Sequence, residues 1–338
     1  MSASAAPRGW KQRREGGNWF ALWLIRTIGR VGGRGIARAC LWPITAYFMA
    51  RRGPERRDSR AYLTRAFGRP ARLRDVARHL HTFACTTMDR VFLLSEELRP
   101  FDVDVQGLDG LRRQLDEGRG ALLYGSHLGS FEVLRVLARK RSEYRIRVVL
   151  DKAHNPAMTQ LLDALNPEIA RGVIDASQDG LSLMLAIKQA ADEGALIALL
   201  VDRAHPDAPT QPATFLGGTA QFPVAPWLIA AALKLPVTLG FGLYRGGNRY
   251  DLVFEPFSDH GIDMPRRERS TQLQALIQRY ATRLEHHAHS APFNWFNFYD
   301  FWNMPTLAPT PAPDAATAAG VQLAGSGPGK PAGGAAGH

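Results

Sequence analysis

Between Pro100 and Asp202 the apolar residues follow two alternating rhythms. Short β-prone runs (FDVDVQG, GALLYGSH, YRIRVVLDK, GVIDA, ALIALLVD) are separated by stretches with helical spacing, SFEVLRVLARK, NPAMTQLLDALNP and LSLMLAIKQAADEG. That alternation predicts an α/β fold, a mostly parallel central sheet flanked by helices. Residues 54–99 read as helical, with Val76, Leu80, Phe83 and Thr87 on one helical repeat. From Arg203 to Pro223 the pattern lapses into RAHPDAPTQPATFLGGTAQFP, which reads as a long loop of the kind that carries function. A helix from Pro226 to Leu235, two strands (PVTLGFGLYR and RYDLVFEPF), a charged helix from Arg267 to His289 and the aromatic run FNWFNFYDFW complete the folded part. Residues 306–338, dominated by Pro, Ala and Gly without periodicity, read as a disordered tail.

The N-terminal segment changes the picture, because its apolar positions come with charge. Residues 1–74 hold 17 Lys+Arg against 3 Asp+Glu, a net of +14, whereas the remainder holds 25 against 28. Such a block suits a polyanion: a nucleic acid, an anionic membrane surface or an acidic protein. Arg26, Arg30, Arg34 and Arg38 recur every four residues, lining one helical face, and the apolar run ACLWPITAYFMA follows, closed by Arg51 and Arg52. About 12 apolar residues are too few to cross a bilayer, for which roughly 20 are needed. The segment reads instead as a basic amphipathic, membrane-associated helix lying in the headgroup region, with Trp10, Trp19, Trp23 and Trp42 as interfacial anchors. The alternative is a surface helix packed on the protein's own core. The expected division is a membrane-associating segment 1–53, a catalytic domain 54–305 and the tail 306–338. Only Cys40 and Cys85 are present, which excludes a disulfide framework and places the catalytic part in a reducing compartment, the cytoplasm.

The chemistry concentrates in GALLYGSHLGSFE, residues 120–132. GALLY reads as a strand buried on both faces, so His127 sits at its carboxyl end, where open α/β folds place their ligands. Glu132 is close enough in sequence to turn back, accept the imidazole N–H and leave the other ring nitrogen as a base. A nucleophile elbow would read G-x-S-x-G, but the frame Gly125–Gly129 carries histidine at its centre. The attacking group is therefore assigned to the substrate: His127 takes a proton from an acceptor hydroxyl, which attacks a thioester carbonyl. A core histidine paired with a carboxylate is the alternative.

The sequence HLGSFE resembles the His-x4-Asp/Glu motif of the lysophospholipid acyltransferase superfamily, and its surroundings resemble the late lipid A acyltransferase branch from about residue 19 to 303. The resemblance rests also on the basic apolar N-terminal segment, the strand ending in VDR, and FLGGTAQFP followed by an apolar helix. It implies transfer of a fatty acyl chain from acyl carrier protein, or acyl-CoA, to a lipid hydroxyl at the cytoplasmic face of the inner membrane, with no cofactor. Arg171 resembles the family's arginine between its first two blocks, which implies that it holds a phosphate; a surface arginine is the alternative. Asp202, at the end of ALIALLVD, matches the family's aspartate after its third core strand, and an acid ending a buried strand reads as a polar role, with Arg203 as its pairing partner. Gly217, Gly218 and Thr219 would offer backbone N–H groups to an oxyanion or a phosphate; a plain turn is the alternative. The sequence departs from the lipid A pattern at its end, where FNWFNFYDFW carries Asp300 and no arginine. That ending resembles acyltransferases of aryl polyene and related pigment pathways, which leaves the acceptor open. As structure, the run reads as a hydrophobic latch over the sheet.

Other clusters carry less. His79 and His81, and His286, His287 and His289, lack partners at metal-ligand spacing and read as solvated helix faces, so no metal is expected. No P-loop or dinucleotide fingerprint is present. Two rivals remain from the residues alone: a nucleic-acid-binding protein using residues 1–74, disfavoured because the arginines accompany a contiguous apolar run, and a lipid-ester hydrolase with water in place of the acceptor.

Overall fold

The computed structural model describes residues 34–95, 100–134, 145–205 and 208–303. Trp10, Trp19, Trp23, Arg26, Arg30, the second half of SFEVLRVLARK and the C-terminal tail, on which the sequence raised expectations, lie outside these residues.

Three helices lead in: α1 (Leu41–Arg51), α2 (Gly53–Phe67) and α3 (Leu73–Leu94). The α/β part runs β1 (Asp102–Gln106), α4 (Leu108–Asp116), β2 (Ala121–Gly125), a 3-10 turn (Phe131–Leu134), β3 (Ile146–Leu150), α5 (Pro156–Leu165), α6 (Pro167–Arg171), β4 (Ile174–Asp175), α7 (Gly180–Asp192) and β5 (Leu196–Leu200). Then follow β6 (Thr210–Phe215), β7 (Gly218–Pro223), α8 (Ala225–Leu233), β8 (Val237–Gly246), β9 (Arg249–Ser258) and α9 (Arg269–Ser290). Seven strands form one sheet in the order β1-β9-β8-β2-β5-β3-β4, in which only the β8–β9 pair is antiparallel. The mostly parallel sheet flanked by helices is thus as the alternating pattern predicts.

Chain order and burial agree for a physical reason. β2, ALLYG, is buried at every position, and β5 and β8 are nearly so, because helices cover both faces of a parallel sheet and leave no side for polar residues. One core lies under α7, α8 and α9, around Trp227, Ile187 and Ile277; the other lies under α3 and α4, around Met88, Leu111 and Leu123. α7 starts where Asp179 accepts hydrogen bonds from the N–H groups of Leu181 and Ser182, and α2 stops at Gly68 in the left-handed conformation.

Three expectations need correction. The stretch 210–223 is a β-hairpin, β6 paired with β7, because Leu216 and Gly217 both take positive φ (49° and 69°) and make the two-residue turn that fits twisted strands. Its Pro/Gly/Thr composition hid a strand pair. The described part of the arginine stripe does not face outward: Arg34 clamps the fully buried Asp89 with Nε and Nη2 at 2.8 and 2.7 Å, and Arg38 hydrogen-bonds Tyr244 Oη and the Gly247 carbonyl. A buried carboxylate demands a paired cation, and these arginines supply it. Finally, His79 and His287 are buried rather than solvated; His79 bridges Ser59 and the Trp295 carbonyl, and His287 pairs with Glu255 at 2.8 Å.

The outward face of the first helices is apolar. Ile36, Ala39, Trp42, Pro43, Ala46, Tyr47 and Ala50 are all exposed, at helical spacing, with Trp42 63% exposed. Among the described residues no helix is long and apolar enough to cross a membrane.

Candidate active site

The register of two neighbouring strands builds the site. β2 and β5 run parallel with Gly125 opposite Leu200, and each chain continues two residues further, so His127 and Asp202 emerge side by side at the carboxyl edge of the sheet. His127 Nδ1 lies 2.8 Å from Asp202 Oδ1, and the His127 backbone N–H donates to Oδ2 at 3.1 Å. Trp295 Nε1 donates to the same Oδ2 at 3.1 Å. Burial pushes the Asp202 carboxyl up, but the His127 ring and backbone N–H and the Arg203 guanidinium outweigh it and hold the acid well below the usual carboxylate range. An ionised carboxylate only accepts, so Nδ1 carries the hydrogen and Nε2 the lone pair. The imidazole is itself depressed, by burial and by Arg203 and Arg90, against the opposing pull of Asp202. Its side chain is still 37% exposed. The arrangement is a neutral base, tautomer fixed, with one nitrogen left for a substrate.

The backbone holding His127 is fixed by close approach. Gly129 has φ +75°, and a Cβ there would stand 1.9 Å from the Gly242 carbonyl oxygen of β8. Contact this close lets Ser130 N–H donate to Gly242 and Gly129 N–H to Asn294, each at 2.8 Å, while Phe296 N–H donates to the His127 carbonyl at 3.0 Å. The aromatic run 293–302 is therefore more than a latch: it supplies Trp295 to Asp202 and backbone to His127. His79 supports it from α3 by hydrogen-bonding the Trp295 carbonyl.

The expected partner of His127 is corrected. Glu132 does not orient the imidazole; its Oε1 sits 2.6 Å from Arg90 Nε of α3, and its Oε2 accepts from Ser130 Oγ at 3.0 Å. Residues 131–134 form a 3-10 turn packed on α3, which delivers the carboxylate to the opposite charge of a guanidinium. Asp202 takes the role that five-residue spacing had suggested for Glu132.

The remaining candidates disperse. Arg203 stands with Asp202, its Nε 3.9 Å from Oδ2 and its Nη2 donating to the Phe296 carbonyl. Arg171 is exposed at the end of α6, ahead of edge strand β4, which lies three strands from β2. Gly217, Gly218 and Thr219 are hairpin residues: Thr219 pairs with Thr214, and Gly218 faces Arg65 and Trp302. The adjoining backbone is committed too, since Leu216 N–H donates to Glu285 and Trp302 Nε1 to the Phe215 carbonyl. Sequence reasoning missed Arg90, Trp295 and His79; only the density of aromatic and Asn residues in 293–302 hinted at the second. Among the described residues no group of three or more His, Cys, Asp or Glu is placed to hold a metal ion.

No curated protein matches the chain. The family described as bacterial lipid A biosynthesis acyltransferase matches over residues 10–303, a span that contains the whole sheet, the His127–Asp202 pair and the aromatic run behind it. The chain belongs to the bacterial lipid A biosynthesis acyltransferase family.

Proposed function

We propose that the protein transfers a fatty acyl chain from a thioester, on acyl carrier protein or coenzyme A, to a hydroxyl of a lipid acceptor, with His127 as general base. The single observation that carries this reading is the contact of His127 Nδ1 with the buried Asp202, which leaves Nε2 as the accessible basic nitrogen. Nε2 takes the proton of the acceptor hydroxyl as its oxygen attacks the thioester carbonyl. The tetrahedral intermediate collapses, the C–S bond breaks, and the imidazolium, stabilised by Asp202, returns the proton to the leaving sulfur. The neighbouring hydroxyls favour a substrate nucleophile. Ser130 is spent on Glu132, Ser126 is buried, and no described serine or cysteine hydrogen-bonds to His127.

The apolar outward face of residues 36–50 supports a peripheral position on the inner membrane at its cytoplasmic face, where Trp42 and Tyr47 enter the headgroup region. It favours a lipid surface over nucleic acid, and the internal use of Arg34 and Arg38 weakens the nucleic-acid alternative further.

The test is acyl transfer by the purified protein from acyl-carrier-protein thioester to extracted lipid acceptors, followed by mass spectrometry. His127→Ala is expected to fold and to lose at least about 10²-fold in rate. Transfer at wild-type rate by that variant overturns the assignment.

A further inference from the structure

We propose that Arg90 is a positioning residue of this site: by pairing with Glu132 it keeps the motif carboxylate off the imidazole and holds His127 in its basic, unprotonated state. Three observations carry this. Glu132, five residues after the histidine, is drawn to α3, with Arg90 Nε 2.6 Å from its Oε1. Ser130 Oγ fixes the other oxygen at 3.0 Å, so the carboxylate has one orientation. Both groups are largely shielded, the Arg90 side chain 31% and the Glu132 side chain 14% exposed, so their fields are only partly screened.

The charges around His127 explain why such a residue is needed. Asp202, from the end of β5, draws a proton onto the ring; a second anion beside it would convert the base into an imidazolium at neutral pH. Arg203 from the same strand end and Arg90 from α3 act in the opposite direction. Glu132 is the nearest acid in the chain, five residues on, and its charge is paired with Arg90. The other titratable groups on this side, His79 of α3, Tyr280 of α9 and Tyr299 of the aromatic run, are buried and uncharged at neutral pH.

The role of Arg90 rests on the reading of His127 as a base only for its effect on rate; the titration itself does not depend on it. The experiment is an NMR titration of the His127 ring in histidine-labelled, detergent-solubilised full-length protein, with kcat/KM against pH measured in parallel. Arg90→Met is expected to raise the His127 pKa by roughly half a unit or more. The acid limb of kcat/KM should move up equally, with KM little changed. Arg90→Lys, which keeps the charge, should stay near wild type, and Glu132→Gln added to Arg90→Met should bring the pKa back down. An unmoved His127 pKa in Arg90→Met overturns the proposal, whether the rate falls uniformly across pH, as for a packing role, or KM alone rises, as for a substrate contact. A shifted titration in a protein that transfers no acyl group leaves Arg90 in place and removes acyl transfer.

Discussion

Replacing Asp202 by Asn tests the site with almost no change in volume. The carboxylate accepts from three donors: His127 Nδ1 at 2.8 Å on one oxygen, and the His127 backbone N–H and Trp295 Nε1, both at 3.1 Å, on the other. A carboxamide has one accepting oxygen and one donating NH2. The orientation that satisfies most donors keeps the oxygen toward the backbone N–H and Trp295 and turns the NH2 toward Nδ1. The ring must then accept at Nδ1 and carry its hydrogen on Nε2, the nitrogen that the proposed mechanism uses as base. Loss of the base predicts a fall in kcat of about 10²- to 10⁴-fold, or roughly 3 to 5 kcal/mol of barrier. Stability should fall less, by about 1.5 to 3 kcal/mol for the lost charge-assisted bonding. Asp202→Ala would orphan all three donors in a fully buried position and is the wrong variant, since it confounds folding with chemistry. The assay is acyl transfer from a thioester donor, with melting followed by circular dichroism and the tautomer read from the ring nitrogen shifts. A folded Asp202→Asn protein that keeps Nδ1–H and transfers within about threefold of wild type would refute the orientation argument.

Burial pushes the His79 imidazole down to about 4 from an ordinary 6.5, so the unfolded chain takes up the proton first. Its share of stability is present above pH 6.5 and lost as pH falls toward 4, about 3 kcal/mol in all, with His127 contributing in the same direction. Denaturant midpoints between pH 7 and 4 should show this loss, and His79→Gln should shrink it; an equal slope in the variant would speak against a buried neutral His79. Trp42 and Tyr47 should each contribute about 2 kcal/mol to vesicle binding, so Trp42→Glu with Tyr47→Glu should release the protein from anionic vesicles in sedimentation while leaving its circular dichroism unchanged. Undiminished sedimentation would place the membrane contact elsewhere.

The fold class and the strand ends that form the candidate site can be read from the amino-acid pattern alone. Alternating rhythms named most of the strands and helices, because a parallel sheet covered on both faces leaves uninterrupted apolar runs that composition cannot disguise. His127 was legible as the residue that ends such a run, and Asp202 as the acid that ends another. Which acid serves the imidazole was not legible. Five residues separate His127 from Glu132 and seventy-five from Asp202, yet strand adjacency places the distant acid at 2.8 Å and the 3-10 turn carries the near one to Arg90. The hairpin at 210–223 is not legible because its turn residues look like loop, and Arg34 and Arg38 read as surface because their partner Asp89 lies more than fifty residues away in the chain. Periodicity reports how each segment meets solvent. Pairing between segments depends on strand order and register, which no local pattern encodes.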